Sequence, residues 1–217
     1  MSRVALVDYE PGLAGMVPWA PLEKGEAATD ALDRLAEIPQ VKGIRRIIWF
    51  EDDLEFCLRP GFVRGVRLLE RYGFSFDICI SHEHMANTIT LVRRCPNIQY
   101  VLDHIGKPDI ASGRMEPWKT EIAELARISN VRCQLSGMVT EADHQSWTLD
   151  DLKSYIDHVV ESFGFDRVMF GGEWPVVLNA APYARWVERL VEVLVGSSED
   201  ELRKVFYDNV VDFYRLD

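Results

Sequence analysis

Apolar positions along this chain follow two alternating rhythms, short β-like runs and longer stretches at helical spacing. Residues 2–8 are too short an apolar run for periodicity to decide between helix and strand, and Pro11-Gly12 ends them. A buried strand is predicted at 13–19, followed by a helix over 26–38 with Ala28, Leu32, Leu35 and Ile38 on one face and Pro39 closing it. The rhythm repeats with a strand at 42–48 and a helix at 61–72, where Phe62, Val66 and Leu69 share a face and Gly73 takes the C-terminal cap. A strand at 74–80 comes next, then a helix that Ser81 can cap and that ends before Pro96. The remaining predicted strands are 98–103, Val131–Leu135 and 167–170, and the remaining helices are 117–128, Leu149–Phe163, 182–195 and 199–214.

Strand-then-helix units recurring at roughly 30-residue spacing predict about six parallel strands joined by crossover helices. Both a doubly wound open sheet and a β/α barrel satisfy this pattern. The first strand is followed by no glycine-rich phosphate loop, which weighs against a dinucleotide-binding sheet. No linker or shift in composition divides the 217 residues, so 1–217 reads as one domain.

A formal net charge of −11 argues against nucleic acid and anionic membranes as partners. Arg45, Arg46 and Lys107 can still form a local positive pocket for a small anionic substrate. The N-terminal residues show no secretory pattern and no apolar run has the length of a membrane span, so a cytoplasmic location is expected. The four cysteines contain no CxxC pair; Cys79 and Cys133 sit in apolar strand runs, which fits reduced, buried thiols.

Candidate chemistry concentrates at YVLDHIGKP (100–108), where a strand runs into Asp103-His104 and is stopped by Gly106 and Pro108. Ionisable groups at the carboxyl end of a parallel strand occupy the place where α/β folds carry out their reactions. A histidine there can equally well serve only to satisfy backbone groups. His82-Glu83-His84 follows a strand end and opens a helix, where i and i+2 point apart, so a solvated rim is expected for that pair. His144 and His158 receive no role.

The ordered motifs VKGIRR (41–46), FDICI (76–80), YVLDHIGKP (100–108), CQLSG (133–137) and RVMFGGEWPV (167–176) resemble the amidohydrolase-2 branch of the amidohydrolase superfamily. Within it, the sugar-lactone hydrolases of the L-fuconolactonase and L-rhamnonolactonase type are the most similar group. The resemblance implies a TIM-like (β/α)8 barrel that is incomplete here. Residues 2–8 match the end of the second helix, and the first strand with its His-x-His has no counterpart.

The resemblance further implies hydrolysis of a small sugar lactone or related cyclic ester, with isomerisation of a sugar lactone or a catalytically impaired relic as alternatives. Glu173 stands where the family carries its aspartate base, one methylene longer. His104 matches a histidine that binds metal or polarises a carbonyl. Arg45 matches a substrate-binding arginine, with an ion pair in the barrel mouth as the other reading, and Gln134 replaces a common lysine. Lys107 and Trp174 complete the expected substrate-binding set. Asp103 is expected to point to the opposite side of its strand and to be structural. Relatives variably bind zinc, but one histidine and one displaced carboxylate supply at most two ligands, so no metal or other cofactor is expected. An incomplete barrel leaves two sheet edges, and a homo-oligomer covering them is expected.

Overall fold

A computed structural model describes residues 12–216. Five strands, β1 (Gly43–Ile47), β2 (Ser75–Cys79), β3 (Tyr100–Leu102), β4 (Val131–Leu135) and β5 (Val168–Phe170), form one sheet in that order. Every neighbouring pair is parallel, with Arg45 beside Asp77 and Asp77 beside Val101. Helices precede, connect and follow the strands: α1 (Thr29–Ala36), α2 (Pro60–Tyr72), α3 (Met85–Arg94), α4 (Trp118–Ala126), the short α5 (Met138–Glu141), α6 (Leu149–Phe163) and α7 (Tyr183–Val193). The chain then runs through α8 (Glu199–Arg203), a π-helical turn (Lys204–Asp208) and α9 (Asn209–Tyr214).

Strand alternation sorts the side chains into two environments. Ile44, Phe76, Ile78, Tyr100, Leu102, Cys133 and Leu135 face the helices and form the large apolar core with Phe62, Trp118, Ile156 and Trp186. Val101 and Met169 lie on the opposite, inner face and pack against Phe213 and Tyr214 of α9. The inner face also carries Arg45, Asp77, Cys79 and Gln134, so it is polar toward the carboxyl ends of the strands. α2 approaches the turn over Leu22–Ala28 so closely that a Cβ on Gly65 would lie 2.0 Å from the Leu22 carbonyl oxygen.

The strand expected at 13–19 is reduced to a single parallel bridge between Met16 and Val41. Met16 donates to Gln40 O (2.8 Å) and accepts from Lys42 N (3.0 Å), but two residues on Pro18 has no N–H and the ladder stops. Pro18 O still accepts the Arg45 N–H at 3.0 Å. The expected six strands are therefore five and a bridge, and among the described residues the sheet is open. At the other edge Asn209 donates from its amide to Phe165 O in the preceding turn and to Val168 O on β5, both at 2.7 Å, and so satisfies an edge-strand carbonyl that a further strand would have used. Residues 2–8 lie outside the described residues.

Candidate active site

Side chains from all five strand ends meet at one end of the sheet, and Arg45 on β1 is at their centre. Its Nη2 donates to Cys79 Sγ and to His104 Nε2, each at 3.1 Å, and its Nε is ion-paired with Asp103 Oδ2 at 2.9 Å. Among the described residues Nη1 has no protein acceptor, and 35% of the side chain remains exposed. Burial disfavours the guanidinium charge, but Asp103, Cys79 and Asp77 outweigh it and hold Arg45 above its ordinary range. Arg45 is thus a fixed cation with two unused donors.

His104 reaches Arg45 through a local reversal of the chain. His104, Ile105 and Lys107 have φ of 53°, 47° and 48°, with Gly106 at 74° between them. Left-handed geometry is costly for a β-branched residue, on the order of 1–3 kcal/mol. It is held by the buried Trp118 of α4, whose indole N–H donates to Ile105 O at 2.7 Å. The turn breaks the alternation that predicted Asp103 and His104 on opposite sides. Both reach the Arg45 cluster, and the expectation that Asp103 points away is corrected.

The donors around His104 set its tautomer. A guanidinium only donates, so Nε2 is the acceptor; Nδ1–H then donates to Ser136 Oγ at 2.7 Å, and Ser136 O–H to Gln134 Oε1 at 2.6 Å. Burial, reinforced by Arg45 and Lys107, lowers the imidazole to about 3, so it is neutral. With Nε2 occupied by Arg45, His104 has no N–H to offer a carbonyl; it acts as an acceptor that positions the guanidinium. Gly137 is needed beside it, since a Cβ there would lie 2.6 Å from His104 Cβ and φ is 71°.

Two buried acids share this one cation. Burial raises Asp103 to about 6, against the pull of Arg45. Burial and then the Asp103 charge raise Asp77 further, although it accepts from Tyr214 Oη at 2.7 Å and from Ser75 Oγ at 3.4 Å. Asp103, in contact with Arg45, keeps its charge more readily than Asp77. A cavity of about 380 Å³ lies against Arg45, Asp77, Asp103, Gln134 and Tyr214 and reaches Met16.

Glu173 follows β5 in a left-handed conformation (φ 49°). Both its oxygens lie within reach of Thr140 Oγ1, at 3.1 and 2.9 Å. Burial raises its pKa, while Thr140, Lys107 and Arg45 pull it down. The loop is pinned from α7 by Trp186, whose indole donates to Gly171 O at 3.0 Å. Trp174 is 70% exposed at the rim. Gln134 belongs to the His104 chain rather than standing free. Lys107 pairs with Glu141, and its ammonium lies 5.3 Å from the Trp49 ring centre beside a second cavity of about 300 Å³ that includes His82. Arg46 turns to the other face and is neutralised by Glu23 and Glu51.

The solvated-rim expectation for His82 and His84 needs correction at His84, which is buried with ring nitrogens 2.8 Å from Ser81 Oγ and 3.3 Å from Glu51 O. Ser81 therefore spends its hydroxyl on His84 rather than on a helix cap. His82 bonds Lys107 O at 3.0 Å, so the two imidazoles do point apart.

Cys79, Asp103 and His104 are buried and their ligand atoms lie within 4.8 Å of one another, a donor set that zinc could use. The set does not fit a metal as it stands, because the Arg45 guanidinium contacts all three donors.

Known proteins are similar to this chain along nearly its whole length. An L-fucono-1,5-lactonase from Burkholderia ambifaria is 31% identical over 211 residues, covering 94% of this chain and 71% of the relative. An L-rhamnono-gamma-lactonase from Scheffersomyces stipitis is 25% identical over 236 residues, covering 94% of this chain and 69% of the relative. A crystal structure of an amidohydrolase from Burkholderia multivorans with bound zinc superposes with a TM-score of 0.91 at 28% identity, covering 99% of this chain and 78% of the other. The amidohydrolase family profile matches residues 3–216, and the chain belongs to that family.

Proposed function

We propose that this protein hydrolyses a small sugar lactone, with Glu173 as the general base and Arg45 as the group that stabilises the oxyanion. The observation that carries the reading is the pairing of a fixed guanidinium, two of its N–H groups unused, with a carboxylate of raised pKa whose ionisation feels the Arg45 charge. The sugar-lactonase names of two relatives supply the substrate class.

Ring opening of a lactone by water needs a proton acceptor and a donor aimed at the carbonyl oxygen as it gains charge. Glu173, desolvated but still ionisable, removes the proton from the attacking water. Arg45 Nη1 donates to the developing oxyanion. His104, through Ser136 and Gln134, keeps the guanidinium in place. Trp174 offers an apolar face at the rim for the sugar ring, and Lys107, balanced by Glu141, lines the approach. No step in this scheme uses a metal.

The impaired-relic reading has one observation in its favour: Gln134 is committed to Ser136 and brings no cation to the pocket. The proposal extends to a reducing, cytoplasmic setting, supported by four buried free cysteines. It also extends to association of copies over the open side of the sheet, which light scattering at micromolar concentration tests. The decisive experiment measures acid release from L-fucono- and L-rhamnono-lactones with the wild-type chain and Glu173→Gln. Turnover that the variant lacks supports the proposal; folded wild-type protein inactive on a panel of aldonolactones overturns it.

A further inference from the structure

Three donors of the kinds zinc prefers surround Arg45: a thiol on β2, and a carboxylate and an imidazole just beyond β3. Cys79, Asp103 and His104 are all buried, and no two ligand atoms are more than 4.8 Å apart. A tetrahedral zinc with ligand bonds of about 2.0–2.3 Å would need these atoms to close to about 3.3–3.8 Å, within the range of small side-chain rotations. His104 is already oriented as a ligand would be. Its Nε2 lone pair faces inward, while Nδ1–H is anchored on Ser136 Oγ at 2.7 Å, and that hydroxyl on Gln134 at 2.6 Å. An anchored second nitrogen is the usual support of a metal-bound histidine.

What occupies the centre is a side chain. Arg45 sits 3.1 Å from Cys79 Sγ, 3.1 Å from His104 Nε2 and 2.9 Å from Asp103 Oδ2. An ion equidistant from those atoms would lie in contact with the guanidinium and be repelled by it, and a guanidinium does not escape by losing a proton. We propose that Arg45 is a built-in cation that closes a latent metal site, and that removing it opens Cys79, Asp103 and His104 to zinc or cobalt(II). Binding would transfer the Cys79 S–H proton to solvent as the metal–thiolate bond forms, with water completing the shell. His82 and His84 take no part, since each is bonded elsewhere.

The proposal stands apart from the lactonase reading because its readout is metal content, not turnover. Wild type, Arg45→Ala and the double variant Arg45→Ala/Cys79→Ser are dialysed against chelator, checked for folding by circular dichroism, and titrated with cobalt(II). The wild type should take up less than about a tenth of an equivalent, and Arg45→Ala about one, with tetrahedral visible bands and a thiolate-to-cobalt charge-transfer band. The double variant should lose that band. A stoichiometric thiolate–cobalt spectrum from the wild type overturns the proposal whatever the variants do. Folded Arg45→Ala without uptake overturns it too. If Arg45→Ala folds only when metal is supplied, the proposal is upheld; if it fails to fold even with metal, the three donors do not make a site and the proposal fails.

Discussion

Replacing His104 with asparagine tests the electrostatic core of the site through stability alone. Asparagine tolerates the left-handed backbone and retains a short polar head, but removes the titrating imidazole. In the folded chain His104 is lowered to about 3, first by burial and then by Arg45 and Lys107, whereas an unfolded histidine titrates near 6.5. A group whose folded pKa is depressed contributes stability that is fully present above the unfolded value and lost as pH falls toward the folded one. Between about pH 7 and about pH 4.5 the unfolded wild-type chain gains a proton at this residue that the folded chain refuses, which costs the wild type about 2–3 kcal/mol. Asp103 acts in the opposite direction, its folded pKa being raised to about 6, but both chains carry it and its effect largely cancels in the difference. Urea unfolding followed by tryptophan fluorescence across that range should show the variant losing about 2–3 kcal/mol less than the wild type, whatever its offset at neutral pH. Stability curves that stay parallel to within about 0.5 kcal/mol would mean that His104 titrates normally and is not the neutral acceptor of Arg45.

The other predictions concern the base and the scaffold. Thr140→Val removes the hydroxyl that lowers the Glu173 pKa, so the acid limb of the pH–rate profile should move to higher pH; an unmoved limb would remove Glu173 from the role of base. Gly137→Ala should destabilise by about 1–3 kcal/mol, measured by urea unfolding, because its Cβ would meet His104 and its φ is positive. Asn209→Ala leaves the Phe165 and Val168 carbonyls without their donor and should cost about 1–3 kcal/mol, with faster amide exchange at β5 as the local signature.

The strand-helix order was legible because short apolar runs alternate with longer stretches at helical spacing and are bounded by Gly and Pro, and Gly73 does end α2 in a left-handed cap (φ 63°). Pro18 was visible too, yet its effect depended on which neighbour the segment would meet, a long-range fact. Candidate residues at strand ends could be named from their motifs, whereas their partnerships could not. Cys79, inside FDICI, reads as a small core hydrophobe until the register sets it on the Arg45 face. Asp103 was misdirected because the alternation was counted from His104, whereas Asp103 keeps the inward phase of Val101 and it is His104 that the run of positive φ turns inward. Ser136 and Thr140 received no role from the sequence, since nothing local marks them as the links to His104 and Glu173. His84 looks solvated in sequence since its partner, the Glu51 carbonyl, is 33 residues away.

Tyr214 and Asp77 are 137 residues apart in the chain, and that separation has a consequence for biosynthesis. At about 5–20 residues per second, roughly 7–27 s pass between the synthesis of β2 and that of the tyrosine that hydrogen-bonds its aspartate. Throughout that interval the inner face of the nascent sheet lacks Phe213 and Tyr214, and the acids around Arg45 remain hydrated. The sheet can therefore form early, whereas the cluster around Arg45 is desolvated only once α9 docks. An interruption of translation before α9 would leave an intermediate with an apolar, charge-lined concavity, the kind of surface on which chaperones act.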